Sequence, residues 1–407
     1  MRKTTFPIIL VLVIAFVCLV IPVVAQEMPS PLAKFEYDEY IADVDWCPDS
    51  SCFAIAFSNG SVEIRQSRTL EIIDSFDSKD LCETSTYTSL GWIYFSPSGR
   101  YLILECLGGR LLIRDTYEDK KAIQIYGDIG FFSPDEAYLL TRVYDNSDVM
   151  TSLWNVATWE FMYQVEGQAS WNYDLTLLIS NNYDSYVKIY DAVTGALKTE
   201  IDFTTPVKMY STSPFNNFVA FATDRVTLWD IDSLEMVADL GATSSYTYVD
   251  FTKDQILTDP DNTFHVWDAT TLEKKFSLLT EETNYRGGIS INYDETLVLG
   301  DIEMPYPCET NCENWLYVWE LGEGRILSRK QYMVDTLAPD FYPQWRPATR
   351  QLVTYNSNNS VILWDVETGE TITTFQADDS LDGFVLAPDG KAILLWTYDT
   401  VLVWNIP

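Results

Sequence analysis

The stretch Arg225-Val-Thr-Leu-Trp-Asp-Ile-Asp-Ser-Leu-Glu235 decides the fold. Apolar and polar residues alternate in it up to Trp229-Asp230, which is the period of a half-buried β-strand, and a short polar turn then leads to another strand. Related stretches recur at Phe264–Glu273 and Val361–Glu370. We therefore interpret the chain as successive copies of one unit made of strands.

Nine such units follow one another. Each begins with a strand that enters a turn rich in Pro, Asp, Asn or Gly, such as Ser96-Pro-Ser-Gly99 or Ala387-Pro-Asp-Gly390. Proline presets φ for a tight turn, and Asp, Asn or Gly tolerates the conformation that closes a hairpin. A second strand and a third strand follow. The third strands end at Arg65-Gln66, Arg114-Asp115, Trp154-Asn155, Tyr190-Asp191, Trp229-Asp230, Trp267-Asp268, Trp319-Glu320, Trp364-Asp365 and Trp404-Asn405.

The spacing of these ends predicts the architecture. From residue 65 to residue 404 is 404 − 65 = 339 residues over eight intervals, and about 42 residues per repeat is the length of a four-stranded propeller blade. We predict an all-β chain that forms a single closed β-propeller of nine blades. Because propellers typically have four to eight blades and the first unit lacks the aromatic landmark, eight blades is the alternative.

The two ends of the repeat region complement each other. Aromatic and charged residues alternate over Lys34–Tyr40, which predicts one strand more than the first unit needs. The last unit ends after its third strand, shortly before Pro407, so it lacks one strand. We predict that the N-terminal strand completes the last blade, which closes the ring and covers a sheet edge.

The pattern resembles the WD40-repeat family over residues 34–407. Trp229-Asp230, Trp267-Asp268 and Trp364-Asp365 match the dipeptide that names the family, and the Ser-Pro-Asp-Gly-like turns match its first hairpins. The Gly-His pair that opens a WD40 repeat is absent, so the resemblance implies a divergent propeller without the His-centred network. Asp191–Gly195 and Asp365–Gly369 are also similar to turns of quinoprotein-type propellers.

The repeated tryptophans and acidic residues have a structural interpretation. A large ring at the end of a third strand is expected to fill the wedge between blades, and the acidic residue after it is expected to bind turn amides. We assign this role to Trp154, Trp229, Asp230, Trp267, Asp268, Trp319, Trp364, Asp365 and Trp404.

The first 25 residues differ in composition from the rest. Arg2 and Lys3 precede an uncharged run, and Val23-Val-Ala25 offers small residues for cleavage, so residues 1–25 are expected to be a signal peptide. Gln26 then begins the mature chain, and residues 26–33 are a short linker before the propeller at 34–407. This predicts a secreted or extracytoplasmic protein. An uncleaved anchor over residues 6–25 is the alternative.

The chain is strongly acidic. Its formal net charge is −34, and cleavage after Ala25 removes two basic residues, which leaves 26 − 2 = 24 basic and 60 acidic residues and a charge of −36. Such a field repels nucleic acid and anionic membranes, and it favours cationic partners.

Six cysteines remain after the signal, and an even number in an exported chain indicates disulfides. In a WD40-like blade, the loop between the second and third strands and the loop between blades leave on one face. This arrangement favours the pairs Cys82–Cys106 and Cys308–Cys312 on that face, and Cys47–Cys52 on the other. A zinc site is not expected, because His265 is the single histidine and no Cys-x-x-Cys pair occurs.

Two insertions, Asp77–Ser89 and Glu303–Asn314, fall on that same face. The face is predicted to be an acidic, aromatic docking surface, although turns favour Asp for its backbone tolerance in any case. Its candidate residues are Asp145, Asp148, Tyr183, Asp184, Asp224, Asp259, Asp261, Tyr306, Glu309, Glu313, Tyr398 and Asp399. Asp259-Pro-Asp261 lacks the spacing of a calcium loop, so neither a metal nor a cofactor is expected.

These observations favour an exported, non-catalytic propeller that binds a protein or peptide. The repeats fill the mature chain, and neither a Gly-x-Ser-x-Gly nor a His-Glu-x-x-His motif occurs. The alternatives are a quinoprotein-like or hydrolase-like propeller enzyme and a structural protein of the cell envelope. The partner and the oligomeric state stay open.

Overall fold

The computed structural model describes residues 29–78, 90–106, 108–118, 122–145, 148–243, 248–259, 263–278, 289–304, 313–332, 343–356 and 359–407. The regular elements within these ranges are all β-strands. Among the same residues, no helix has the length and hydropathy that crossing a membrane requires.

The strands form nine antiparallel sheets of four, so the prediction of nine four-stranded blades is confirmed and the eight-blade alternative is not needed. The N-terminal strand is β1 (Ala33–Glu36). Blade 1 contains β2 (Ile41–Trp46), β3 (Cys52–Phe57), β4 (Ser61–Gln66) and β5 (Ile72–Asp77). Blade 2 contains β6 (Leu90–Phe95), β7 (Tyr101–Cys106), β8 (Arg110–Asp115) and β9 (Ile123–Tyr126). Blade 3 contains β10 (Ile129–Phe132), β11 (Tyr138–Asp145), β12 (Asp148–Asn155) and β13 (Glu160–Glu166).

The middle and last blades repeat this order. Blade 4 contains β14 (Gln168–Trp171), β15 (Leu177–Asn181), β16 (Tyr186–Asp191) and β17 (Leu197–Asp202). Blade 5 contains β18 (Met209–Thr212), β19 (Phe218–Ala222), β20 (Arg225–Asp230) and β21 (Glu235–Ala242). Blade 6 contains β22 (Val249–Phe251), β23 (Gln255–Thr258), β24 (Phe264–Asp268) and β25 (Lys274–Leu278). Blade 7 contains β26 (Ile289–Ile291), β27 (Leu297–Met304), β28 (Glu313–Glu320) and β29 (Arg325–Tyr332). Blade 8 contains β30 (Gln344–Trp345), β31 (Gln351–Asn356), β32 (Ser360–Asp365) and β33 (Thr371–Gln376), and blade 9 contains β34 (Leu381–Leu386), β35 (Ala392–Thr397) and β36 (Thr400–Asn405).

The N-terminal strand closes the ring as predicted. β1 is the fourth strand of blade 9 and pairs antiparallel with β36, with Phe35 opposite Val401. The Leu32 amide donates to the Val403 carbonyl at 2.7 Å, and the Tyr37 amide donates to the Asp399 carbonyl at 2.9 Å. β1 is shorter than the predicted Lys34–Tyr40, because the chain bends at residues 38 and 39 before β2 begins.

The sequence landmark coincides with an irregularity in the blades. In seven blades the pairing of the third and fourth strands shifts register immediately before the landmark residue, as between Leu228 and Trp229 or between Leu363 and Trp364. A β-bulge of this kind re-aims the side chain that follows it. The direction of the landmark side chain therefore depends on this β-bulge as well as on the alternation along the strand.

The landmark tryptophans fall into two groups. Trp319, Trp364 and Trp404 are fully buried and are among the largest side chains of the core. Trp154, Trp229 and Trp267 are half-buried, and their indole N–H groups donate to the hydroxyls of Thr141, Thr227 and Thr258 at 3.0, 3.0 and 2.9 Å. The half-buried rings therefore keep a polar partner while they pack.

The acidic residue after the ring holds the turn to the fourth strand. Asp230 accepts the amides of Asp232 and Ser233 at 3.0 and 3.3 Å. Asp365 accepts the amides of Glu367 and Thr368 at 2.9 and 2.8 Å. One carboxylate thus satisfies two backbone donors of a tight turn.

Candidate binding face

The strand order gives the propeller two different faces. The loops that join the second to the third strand of a blade, and those that join one blade to the next, leave on one face, which we name the insertion face. The turns that join the first to the second strand and the third to the fourth leave on the opposite face, which we name the turn face. Both definitions follow from the antiparallel order of the sheets.

The turn face is short and bonded to itself. Its connections have three residues (252–254) to seven residues (116–122). Neighbouring first turns bond to each other at five junctions between blades. These bonds are Ser98 Oγ to Glu136 at 2.7 Å, Asn172 to Asn217 at 3.3 Å, the Lys253 amide to Glu295 at 2.9 Å, Arg346 Nε to the Gly390 carbonyl at 2.8 Å and the Asp389 amide to Ser50 at 2.9 Å. The polar groups of this face are thus largely used within the fold.

The insertion face has the longest connections, beside others of one to three residues. Twelve residues (78–89) separate β5 from β6, ten (279–288) separate β25 from β26, and eleven (333–343) separate β29 from β30. Of the predicted docking residues, Asp261, Tyr306 and Glu309 lie outside the described residues, as do Cys82, Cys308 and Cys312.

Several of the predicted docking residues are exposed on the insertion face. Tyr183 and Tyr398 expose 59% and 64% of their surface, and the Tyr398 ring lies 4.9 Å from the ring of Tyr40. Asp224 and Asp399 are exposed too. Hydrogen bonds from the Thr223 and Thr205 hydroxyls lower the pKa of Asp224, so this carboxylate is charged at neutral pH.

Other predicted docking residues lie elsewhere. Asp259 is buried, and its carboxylate accepts the backbone amide of Tyr248, so it serves the fold and adds nothing to an exposed surface. Asp184 is half-buried. Asp145 and Asp148 end β11 and begin β12, where they pair with each other, and Glu313 begins β28 opposite Met304. The hairpins of blades 3 and 7 therefore continue as β-ladder where the sequence indicated loops.

Three carboxylates that lie buried or half-buried on inner strands were not anticipated. Asp43 and Asp45 on β2 accept the amides of Ile93 and Phe95 on β6 at 2.8 and 3.0 Å. Burial raises the pKa of Asp45 to about 6. Burial, and after it repulsion by Asp128, raises the pKa of Glu105 on β7 to about 7. In the sequence, acidic residues that alternate along a strand indicate a solvent-exposed face of that strand, because the packing between blades is not known at that point.

Gln344 makes a similar bridge between blades 8 and 9. Its Nε2 donates to the Phe384 carbonyl at 3.1 Å, and its Oε1 accepts the Leu386 amide at 2.9 Å. A side chain on one innermost strand thus again bonds the free edge of the next.

The cysteine predictions are partly tested. Cys47 and Cys52 form a disulfide across the first turn of blade 1, with Cα atoms 5.2 Å apart. Cys106 is disulfide-bonded as well. Its predicted partner lies outside the described residues, so the pairs Cys82–Cys106 and Cys308–Cys312 stay predictions.

The single histidine has a packing role. His265 is buried, its Nδ1 lies 2.8 Å from Ser277 Oγ, and its ring contacts Trp267 edge to face. Over the described part of the chain, no three His, Cys, Asp or Glu side chains are grouped so as to hold a metal ion.

Comparison with known proteins finds similar folds among solved structures, but no matching family model or curated sequence. No family model matches the chain, and no curated protein matches its sequence. Similar solved structures include the C-terminal WD40 domain of Sif2, with TM-score 0.59 and 13% identity, covering 93% of this chain and 98% of that one. The chain has a WD40-like propeller fold. A eukaryotic initiation factor is similar to this WD40-like propeller at TM-score 0.64 and 15% identity, over 87% of this chain and 93% of that one. BamB from Moraxella catarrhalis is similar at TM-score 0.53 and 11% identity, over 93% and 99% of the two chains.

Proposed function

We propose that this WD40-like propeller is an exported, non-catalytic scaffold that binds a protein or peptide through its insertion face. The observation that carries the proposal is the difference between the two faces. Turns of the turn face bond to one another at several blade junctions, whereas the longest connections lie on the insertion face; exposed tyrosines occur on both faces. Exposed loops on a rigid scaffold are where binding residues concentrate.

The fold supports a scaffold role. A propeller sets loops from every blade side by side on one surface, so a partner can contact many short segments at once. The strong negative charge of the chain favours a partner that is cationic overall.

Site-specific photo-cross-linking tests the face. A photoreactive phenylalanine analogue replaces Tyr183 or Tyr398 on the insertion face, and Tyr173 or Tyr293 on the turn face, which expose 53% and 68% of their surface and serve as matched controls. The proposal expects one discrete cross-linked protein from the insertion-face positions in the exporting host and none from the controls. Equal cross-linking from both faces, or cross-linking from the turn face alone, would overturn it.

Intact-mass spectrometry tests export. The proposal expects a mass that begins at Gln26, with six cysteines protected from alkylation until reduction. A mass that begins at Met1, with free thiols, contradicts cleavage and the disulfide scheme together.

A further inference from the structure

A positively charged cavity lies on the insertion face where blades 3, 4 and 5 meet. It has a volume of about 260 Å³. Its lining includes Arg142 of β11, Gln168 and Ser170 of β14, Tyr183 between β15 and β16, Lys208 immediately before β18, and Tyr210 of β18. Among the described residues, none of the side chains that line it is acidic. In a chain of net charge −34, this concentration of positive charge is an exception.

The two cations of the cavity have no carboxylate partner within the described ranges. Elsewhere on the surface, basic side chains form ion pairs, such as Arg100 with Asp115 at 2.9 Å and Arg225 with Asp239 at 2.7 Å. Arg142 Nη2 donates only to the Ala169 carbonyl at 3.3 Å, and its buried Nε has no acceptor among the residues described. The positive charge of Arg142 is therefore not neutralised by a carboxylate within the described ranges.

Arg142 is held in place before any ligand arrives. Its guanidinium lies 4.6 Å from the centre of the Phe131 ring, which fixes the plane of the fork. A fixed guanidinium offers two parallel N–H donors to a carboxylate and loses little entropy when it binds one.

Tyr183 supplies a neutral donor at the rim. Gln168 Nε2 donates to the Tyr183 hydroxyl oxygen at 2.7 Å, which leaves the phenol proton free for a ligand. The residue has φ 62, a conformation that bulky residues seldom adopt, and its amide donates to Asn181 Oδ1 at 2.8 Å.

The remaining neighbours do not neutralise the cavity. The Tyr210 hydroxyl lies 2.9 and 2.8 Å from the carbonyls of Gln168 and Ile179 and forms a fixed floor. Asp184, on the same loop as Tyr183, hydrogen-bonds with the Tyr186 phenol and so raises the pKa of that phenol. Its carboxylate is therefore engaged outside the cavity.

We propose that the cavity binds one carboxylate of the partner peptide, held by Arg142 and Lys208 with the Tyr183 hydroxyl as a third donor. This inference rests on the scaffold function proposed above. We assign a carboxylate and not a phosphate, because the proposed partner is a protein or peptide, whose ordinary anionic groups are carboxylates. The rest of the partner would be basic, and one carboxylate would fix its register.

Ligand-observed NMR on the full mature protein tests the site with two probes that differ only in charge. N-acetyl-leucine carries a free carboxylate, and N-acetyl-leucine amide does not. The proposal expects saturation transfer to the acid and none to the amide, whereas equal transfer to both would overturn it. N-acetyl-asparagine and N-acetyl-aspartate α-amide, which each keep one free carboxylate, then distinguish a main-chain carboxylate from a side-chain one.

Charge-matched variants locate the binding. Lys208→Gln removes one exposed positive charge from the cavity, and Lys253→Gln removes one from the turn face. Loss of a charge-assisted hydrogen bond weakens binding by about tenfold. We therefore expect Lys208→Gln and Arg142→Gln to bind N-acetyl-leucine about tenfold more weakly. Lys253→Gln should bind it with unchanged affinity. Equal affinity of the Lys208 and Lys253 variants would overturn the site, even if Arg142→Gln fails to fold.

Competition separates the possible anions and the two proposals. Acetate is expected to displace the acid probe at least as well as inorganic phosphate does, and stronger displacement by phosphate contradicts the carboxylate assignment. If the probe does not bind while cross-links from Tyr183 and Tyr398 persist, the cavity assignment fails and the scaffold stands. If the probe binds without cross-links, the cavity stands as a carboxylate site, while the scaffold and the assignment of the carboxylate to its partner peptide fail.

Discussion

Asp43 Oδ2 accepts a 2.8 Å hydrogen bond from the backbone amide of Ile93, and this bond joins the innermost strands of blades 1 and 2. Its Oδ1 accepts the Val44 amide at 2.8 Å. β6 is the edge strand of its sheet and pairs only with β7. The carboxylate therefore takes the place that a neighbouring strand would occupy, and it covers an otherwise open edge.

The first prediction concerns this bridge. Asp43→Ala leaves two buried amides without an acceptor, so we expect the free energy of unfolding to fall by about 1–3 kcal/mol. Chemical denaturation measures the change, and Asp38→Ala, at an exposed position in the same segment, is the control. Equal stability of the two variants would show that the bridge contributes nothing.

The second prediction concerns pH. Burial raises the pKa of Asp45 to about 6, and burial followed by repulsion from Asp128 raises the pKa of Glu105 to about 7. At pH values between the unfolded-state pKa values and these raised folded-state values, the folded chain binds more protons than the unfolded chain. Stability therefore falls as pH rises from about 4 to about 7. We expect a higher Tm at about pH 5 than at about pH 8.

Two asparagine variants separate this effect from general charge repulsion. Asp45→Asn removes one of the raised groups, and the fall in Tm between these pH values should become smaller. Asp191→Asn removes the same charge from a carboxylate whose pKa is lowered to about 2, chiefly by the Thr194 hydroxyl, so its titration lies below this window. A similar fall in both variants would contradict the assignment to Asp45.

The third prediction concerns ring closure. Removal of residues 26–40 deletes β1, exposes the edge of β36 and leaves Arg65 without the Phe35 ring that lies 4.1 Å from its guanidinium. We expect a lower Tm and association through the open edge. Size-exclusion chromatography and thermal unfolding measure both, and a chain that lacks only residues 26–28 is the control. A truncated chain with the association state and Tm of the control contradicts this role for β1.

The fourth prediction compares two tryptophans. Trp364 is fully buried between blades 7 and 8 with Leu316 and Val318, and Trp364→Ala should cost about 3–5 kcal/mol of unfolding free energy. Trp92 exposes 49% of its surface, and Trp92→Ala should cost less than about 1 kcal/mol. Denaturant titration of both variants checks the difference, and a reversed order would refute the packing role.

The repeat and its closure could be predicted from the sequence because they depend on local chemistry. The residues predicted to end the third strands, from Gln66 to Asn405, do end them in all nine blades. Turn formation by Pro, Asp and Gly is local, and so is the alternation that indicates a strand. The missing strand of blade 9 followed from the order of the units alone.

The rest depends on contacts between distant segments. Asp43 lies 50 residues from Ile93, and no pattern in either segment indicates their hydrogen bond. Asp259 has the turn-like sequence of a surface loop, yet it is buried and its carboxylate accepts the Tyr248 amide. In the sequence, Arg142 has the pattern of an ordinary polar residue in a strand. Its lack of a counter-ion among the described residues becomes visible only when Gln168, Tyr183 and Lys208 are placed around it.

The pairing of β1 with β36 also has a kinetic consequence. Phe35 and Val401 are 401 − 35 = 366 residues apart in the chain, so nearly the whole polypeptide has to emerge before the earliest strand finds its place. Contacts at such separation slow folding, because the entropy of closing the loop is lost before the contact forms. Eight blades can form in order as the chain lengthens, whereas β1 can pair only after the hairpin of β35 and β36 has formed. We therefore expect the closure of blade 9 to be the last step of folding.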